Sequence, residues 1–392
     1  MNARKSVLLL IPTFADEGGT QKMVYELGRL LAEKYKVYEC AFDAFHEPHI
    51  FKTGNEVLSL GSGFSSSFIQ KMAGYPLKAW RLRRLKKKYA IDITISNLWA
   101  ADLVNALSAG HGKMVSIGHV NIVGNFQNRL LLRIRRFASL VYNRFDKVVA
   151  VNKYLKEELQ ELFALPEHKA TYINNFIVLP HEAPAPIPKP AGKKRLVNFG
   201  RLNPIKNHEP LIALCKSIGS VQLVLMGAGP LQSSLQAYAR SLDLQVSNDL
   251  ASGADVIFTG FHPDPYSVLC ASDLFVFSSR SEGFGLVLVE AMHAGLPVVT
   301  SDCPTGGPHV ILEGNGRYEQ GRETAEETPY GYLMPIPERN DREGLRLWQQ
   351  VITALLSDER KRNGQSAHCK KRARDFSREQ IKGQWFDLLD HL

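Results

Sequence analysis

The sequence predicts an α/β protein made of two doubly wound domains, and three observations carry that expectation. Strand-like apolar runs alternate with helical stretches along most of the chain, as in parallel sheets with helices on both faces. A break with five prolines and no periodicity, VLPHEAPAPIPKPAGKK, separates two such alternations, which suits a stiff linker. The 392 residues, 44% hydrophobic and 22% charged, have the balance of a soluble globular protein about two domains long. The expected division is a first domain over 1–176, a linker over 177–194 and a second domain over 195–375. A helix over 376–392 would close the chain, with the option of packing back on the first domain.

In the first domain SVLLLIPT reads as a buried strand, and Gly18-Gly19 open a helix running from Thr20 to Lys34. Then come the strand KVYECAF, a basic helix around Lys78 to Lys88, the strand IDITISN and a helix from Ala101. The strand KMVSIG, a long helix near Asn128 to Arg144 and the strand KVVAVN complete it. In the second domain RLVNFG, VQLVLMG, DVIFTG, LFVFSS and PVVTSD are short strands separated by helical stretches. EGNGRYEQGRETAEETPYG (313–331) is polar and reads as a loop, and SREQIKGQWFDLLDHL is the closing amphipathic helix. The N-terminal run VLLLIP is too short for a signal peptide, and no stretch approaches the ~20 apolar residues of a membrane span. The 5 cysteines are scattered without a CxxC pair, which points to reduced thiols in a cytosolic compartment and away from zinc or disulfides.

The net charge of +9 is unevenly placed. Residues 1–175 hold 25 Lys+Arg and 15 Asp+Glu, which leaves 23 and 24 for the remainder of the 48 and 39. The whole excess therefore lies in the first half, and such asymmetry suggests an anionic partner.

Ligands of open α/β sheets bind at the carboxyl ends of the strands, so two such sheets imply a cleft. The strongest signal is SEGFGLVLVEAMHAGLPVVTSDCP (281–304), which follows the strand LFVFSS. Gly283 and Gly285 let the backbone approach a ligand, and the helix beginning at Gly285 offers free N–H groups to an anion such as a diphosphate. Glu290 lies roughly 7–8 Å further along that helix, about the distance from a diphosphate to its ribose, whose hydroxyls a carboxylate accepts. Glu282 would then face a transferred sugar. In NFGRLNPIKN, Arg201 and Lys206 can neutralise a departing diphosphate, work done elsewhere by a metal. No Asp-x-Asp pair is present to hold one. LMGAGP, with Gly227 and Gly229, is a weaker signal, because tight-turn glycines look the same and the pattern is not GxGxxG. Gly18 and Gly19 could set backbone N–H groups against a phosphate or simply begin a helix. His119 follows a strand and should project at its carboxyl end, where a structural histidine could equally stand.

Together these residues resemble the retaining, nucleotide-sugar-dependent glycosyltransferases of family four, of the kind that builds bacterial surface polysaccharides. Glu282 and Glu290 in EGFGLVLVE match the family's Glu-x7-Glu signature. GRLNPIKN is similar to its donor-phosphate motif, LMGAGP to its Gly-x-Gly-Pro turn and GGTQKMVYELGRLL to its first glycine-rich loop and helix. The resemblance implies the GT-B fold, two Rossmann-like domains facing a central cleft. It implies that Gly200, Arg201 and Lys206 serve the donor diphosphate and Glu290 the ribose. Glu282 with the backbone of Phe284 and Gly285 would hold the sugar, with His119 contacting it. It further implies retention without a metal or other cofactor. The chain departs from the family at Asn174-Asn175-Phe176, where the family has Asn-Pro, and at His309, where the polysaccharide-building subgroup has an acid.

The basic excess has its own pattern. KAWRLRRLKKKYA (78–90) and NRLLLRIRRFASLVYNRF (128–145) interleave basic and bulky apolar residues at helical spacing. Such helices lie on anionic bilayer surfaces, and the expected patch is Trp80, Arg81, Arg83, Arg84, Lys86, Lys87, Lys88, Arg133, Arg135 and Arg136. Two core-packed helices with solvated basic faces would show the same pattern. Nucleic acid is the weaker partner, since no recognised module is present. The expectation is a cytoplasmic hexosyltransferase, peripheral on the inner face of the membrane. It would move a hexose or N-acetylhexosamine, from UDP in the first instance, to a lipid-linked saccharide in lipopolysaccharide or other surface-polysaccharide synthesis. A soluble-acceptor transferase, a GT-B epimerase and a non-catalytic sugar- or nucleic-acid-binding protein are the alternatives.

Overall fold

The computed structural model describes residues 4–15, 18–45, 53–61, 68–119, 129–178, 185, 187, 189–262, 264–316, 318 and 321–392, with backbone alone at 68–73 and 129–134. The chain divides into two compact units, one of Met1–Val178 with Arg378–Leu392 and one of Leu179–Ser377.

The first unit is built on β1 (Ser6–Leu10), β2 (Lys36–Ala41), β3 (Glu56–Ser59), β4 (Ile93–Asn97), β5 (Lys113–Gly118), β6 (Lys147–Ala150) and β7 (Ala170–Tyr172). They pair in parallel in the order β3-β2-β1-β4-β5-β6-β7. β1 is central because SVLLL is buried on both faces, as a strand covered by helices on each side must be. The crossover helices are α1 (Gly19–Leu31), α2 (Phe68–Lys88), α3 (Trp99–Leu107), α4 (Arg129–Tyr142) and α5 (Lys153–Phe163). Leu8, Tyr38, Leu58, Leu82 and Val104 meet in one core on the β1–β3 side.

The second unit carries β8 (Lys194–Phe199), β9 (Val221–Met226), β10 (Val246–Ser247), β11 (Val256–Gly260), β12 (Leu274–Phe277), β13 (Val298–Ser301), β14 (Glu326–Thr328) and β15 (Gly331–Met334). Their order is β10-β11-β9-β8-β12-β13-β15-β14, parallel except for the pair β14–β15. Its helices are α6 (Glu209–Ile218), α7 (Gln232–Ser241), α8 (Pro265–Cys270), α9 (Leu286–His293), α10 (Gly307–Leu312), α11 (Arg342–Ser357) and α12 (Glu359–Ala373). Trp348 of α11 is fully buried in this unit's core, and its indole N–H donates to the Pro335 carbonyl at 2.9 Å.

Two features differ from the sequence expectation. The stretch 313–331 is not all loop, because β14 and the start of β15 form a hairpin there. Gly331 makes it possible: at φ 144° its added Cβ would stand 1.9 Å from the Val298 carbonyl oxygen, so only glycine lets β15 pair with β13. The edge strands β3, β7 and β10 also escape the pattern, being short and partly exposed. All five cysteines are free thiols.

After the second unit the chain returns to the first as α13 (Arg378–Asp390), which lies against α1. Tyr35 donates its hydroxyl proton to Asp390 Oδ1 at 2.8 Å and meets Phe386 edge-on with ring centroids 5.8 Å apart. Lys5 Nζ donates to the Leu389 carbonyl at 3.0 Å. No described helix is long and apolar enough to cross a membrane.

Candidate active site

In a doubly wound sheet the ligand crevice opens where the strand order reverses. In the second unit that point lies between β8 and β12. The loops leaving those strands, 200–207 and 278–285, carry the strongest sequence signals. They are laced together. Arg280 N donates to the Ile205 carbonyl at 2.8 Å and Ser278 Oγ to the Asn207 carbonyl at 2.6 Å. Asn207, in the left-handed region at φ 53°, donates to the carbonyls of Ser278 and Pro337 and accepts from Arg280 Nη2.

This lacing brings Lys206 and Glu282 into an ion pair, with side chains 19% and 11% exposed. Ser279 Oγ donates to the same Glu282 oxygen at 2.7 Å, and the Lys206 ammonium stands 5.0 Å from the centre of the Phe277 ring. Arg201, on the same loop as Lys206, is exposed. His208, the next residue but one, is buried with neither ring nitrogen hydrogen-bonded. Burial, with help from the Lys206 charge, lowers its pKa to about 4.

The glycines divide by purpose. A Cβ on Gly227 would stand 2.2 Å from the Gly200 carbonyl oxygen, and one on Gly229 2.3 Å from that of Leu202. The LMGAGP turn is therefore a pad under the 200–202 loop, and packing alone accounts for both glycines. Gly285 sits at φ 94° as the N-cap of α9, a conformation that costs a larger residue, and Gly283 is buried just before it. Thr305 Oγ1 donates to the Glu282 carbonyl. Gly307 lies so close to Phe284 that a Cβ would meet its carbonyl oxygen at 2.4 Å. Glu290, 4% exposed on α9, helps burial to raise the pKa of Tyr266. His309 Nδ1 lies 3.0 Å from Asp302 Oδ2, which also accepts from Arg322 Nε at 2.9 Å. Arg322 thus ties the 313–331 stretch to the loop that holds Glu282 and Phe284.

In the first unit the strand order reverses between β1 and β4. Gly18 and Gly19 follow β1 at the start of α1. Gly18 has extended backbone, where an added Cβ would meet the movable end of Gln21 at 2.6 Å, and Gly19 has nothing within 4 Å of one, so neither position is fixed as glycine by strain or by backbone packing. His119 follows β5, its Nε2 2.8 Å from Asn97 Oδ1. Burial lowers its pKa to about 4.

The basic patch needs correction. Lys86 is fully buried, donating to Asn105 Oδ1 and Ser108 Oγ, each at 2.8 Å, and burial lowers its pKa to about 7. It cannot meet a surface ligand, because the inward face of α2 packs on α3. Arg81 is committed to the carbonyls of Leu60 and Gly61, and Arg135 to those of Leu162 and Glu161. The side chain of Arg133 lies outside the described residues. Arg83, Arg84, Lys87, Lys88 and Arg136 are exposed, and Trp80, 51% exposed, carries the Arg84 guanidinium 4.1 Å above its ring.

Sequence reasoning missed Asn97 and the lacing residues Asn207, Ser278, Ser279 and Arg280. Their signal was a cluster of small polar residues directly after two apolar strands.

Two family models match successive stretches of the chain: "Glycosyltransferase Family 4" over residues 17–179 and "Glycosyl transferases group 1" over residues 181–323. A curated relative from Campylobacter jejuni is the N-acetylgalactosamine-N,N'-diacetylbacillosaminyl-diphospho-undecaprenol 4-alpha-N-acetylgalactosaminyltransferase. It is 24% identical over 93% of this chain and 94% of its own length. The amylovoran biosynthesis glycosyltransferase AmsD of Erwinia amylovora is 21% identical over 98% of this chain and 99% of its own. Among solved structures, a sucrose-phosphate synthase from Thermosynechococcus elongatus matches with TM-score 0.77 and 18% identity over 99% of each chain. Anabaena Alr3699/HepE in complex with UDP matches with TM-score 0.73 and 19% identity over 99% of this chain and 100% of its own. Two parallel sheets of this topology, the paired Lys206 and Glu282 at a strand-order reversal, and these likenesses lead to one conclusion: the chain is a GT-B glycosyltransferase of the family-four type.

Proposed function

We propose that the protein is a retaining, metal-independent hexosyltransferase that extends a lipid-linked glycan in surface-polysaccharide or lipopolysaccharide synthesis, working at the cytoplasmic face of the membrane. The observation that carries the reading is the convergence of Lys206 and Glu282 at the β8/β12 reversal, with Glu290 behind them on α9. Lys206 and Arg201 bring positive charge to where a donor diphosphate would leave, and preorganised charge of this kind is often the largest catalytic term. Within the second unit Glu282 and the Phe284–Gly285 backbone hold the donor sugar and Glu290 the ribose; His119 of the first unit is assigned to a sugar hydroxyl on the family resemblance alone. The acceptor hydroxyl attacks the anomeric carbon on the face from which the diphosphate departs. Its proton passes to the departing diphosphate oxygen.

A uridine nucleotide is favoured as the donor because the solved relative Alr3699/HepE is described in complex with UDP-glucose. A lipid-linked acceptor is favoured because the Campylobacter relative is named for a diphospho-undecaprenol substrate. The exposed stripe of Leu77, Trp80, Arg84, Lys87 and Lys88 on α2 suits an anionic lipid surface. The test is a thermal-shift panel of nucleotide sugars, followed by mass spectrometry of the product formed on undecaprenyl-diphosphate saccharides with excess chelator present. Transfer with the anomeric configuration kept is expected at undiminished rate. Inversion, or a strict need for Mg²⁺ or Mn²⁺, overturns the mechanism.

A further inference from the structure

The His119 ring is held in one protonation pattern by a buried amide at the end of a neighbouring strand. Asn97 ends β4 with its side chain fully buried. Its amide nitrogen donates to the Leu10 carbonyl at the end of β1, at 3.4 Å. That leaves Oδ1 as the amide atom turned to His119 Nε2, 2.8 Å away. A carbonyl oxygen can only accept, so Nε2 carries the proton and Nδ1 keeps the lone pair. The residue after Asn97 is strained: Leu98 lies at φ 72° and ψ 147°, a combination that persists only where the surroundings impose it and that clusters at functional sites. The recess is lined by Met23, Val24 and Leu27 of α1, Ile117 of β5, Ile173 and Asn175 after β7, and Trp385 of α13. None of these described lining residues is ionisable, and burial lowers the ring's pKa to about 4, which holds it neutral at physiological pH.

We propose that Asn97 is a positioning residue that fixes His119 as the neutral Nε2–H tautomer, so that its side chain presents an accepting nitrogen to a hydroxyl group and no positive charge to a phosphate. The proposal rests on the reading that His119 contacts the sugar, and it adds the chemistry of that contact. An imidazolium would compete for the donor diphosphate, whereas an Nδ1 lone pair selects a hydroxyl donor, the group that covers a hexose.

The test uses the full chain with ¹⁵N-labelled histidine and separates this proposal from the reading beneath it. Wild-type His119 is expected to show a pyrrole-type Nε2 and a pyridine-type Nδ1 that do not change between pH 6 and 8 in the wild-type protein, as a pKa of about 4 requires. Asn97→Ser should give a mixed tautomer population and lower kcat by about 10–100-fold, the range seen for partners that orient metal-bound histidines from behind. The nearly isosteric Asn97→Asp places a carboxylate against Nε2. It should bring His119 titration into the neutral range and give kcat an acidic limb that the wild type lacks. A pyrrole-type Nδ1 in the wild type, or an unmoved spectrum in both variants, overturns the proposal. A switched spectrum with kcat and its pH profile unchanged upholds the positioning and overturns the assignment of His119 to the sugar.

Discussion

Replacing Lys206 with Met separates what the Lys206–Glu282 pair does for the fold from what it does for the reaction. Methionine keeps most of the unbranched stem over Phe277 and removes the charge. With side chains 19% and 11% exposed, the pair lies between exposed pairs, worth about 0.2–1 kcal/mol, and buried ones, which cost about 3–5 kcal/mol to break from one side. Ser279 still donates to Glu282, so an intermediate loss of about 2 kcal/mol is expected. For a unit of this size that is a fall in Tm of roughly 4–8 °C. The effect on the reaction is larger: losing one group that stabilises the charge of the leaving diphosphate should lower kcat by about 10²–10³. The double variant Lys206→Met/Glu282→Gln should regain much of the Tm, because no uncompensated carboxylate remains, while kcat stays low. Initial rates at saturating nucleotide sugar, with calorimetry on the same samples, give both numbers. A Lys206→Met enzyme with wild-type kcat refutes the donor-site assignment whatever its Tm.

The surface stripe on α2 gives a second prediction. Changing Arg83, Arg84, Lys87 and Lys88 together to Gln should weaken sedimentation with anionic liposomes by about 10³-fold, at ~1 kcal/mol per basic residue. Lys86→Met should leave liposome binding unaltered, and a loss there would contradict its burial. The third concerns acid. His208 has its folded pKa lowered to about 4, so as pH falls the unfolded chain takes up the proton first. Its contribution is level above about pH 6.5 and is lost between there and pH 4, by up to about 3 kcal/mol. His208→Phe should therefore gain on the wild type in urea midpoints as pH falls through that window, and a difference independent of pH would rule the linkage out.

Much of the architecture was legible because its signals are local. The buried strands β1 and β12 announce themselves as apolar runs, and EGFGLVLVE states both its turn and its helix. What stayed hidden depends on partners distant in sequence. Whether Lys86 faces water or Asn105 is decided by how α2 rolls on α3, and the basic run KKK reads the same either way. Gly227 and Gly229 signal close approach, but only the fold says that the approaching group is the 200–202 backbone. Asn97 bonds to Leu10 and His119, on or just beyond the two strands that flank its own, 87 and 22 residues away in sequence, so its task has no local signature. The β14–β15 hairpin failed to register because its inward residues are few and the acidic side chains around them dominate the pattern.

The return of α13 to the first unit has a consequence for how the protein is made. A ribosome delivers residues 1–178 first, yet that unit lacks its last helix, and the Trp385 wall of the His119 recess, until residues 378–392 emerge. The second unit, continuous from Leu179 to Ser377, can close on itself earlier, although domains are usually finished in the order of synthesis. The nascent chain thus passes through a stage with a complete β8–β15 unit and an open α1 face. The half begun first is the half finished last.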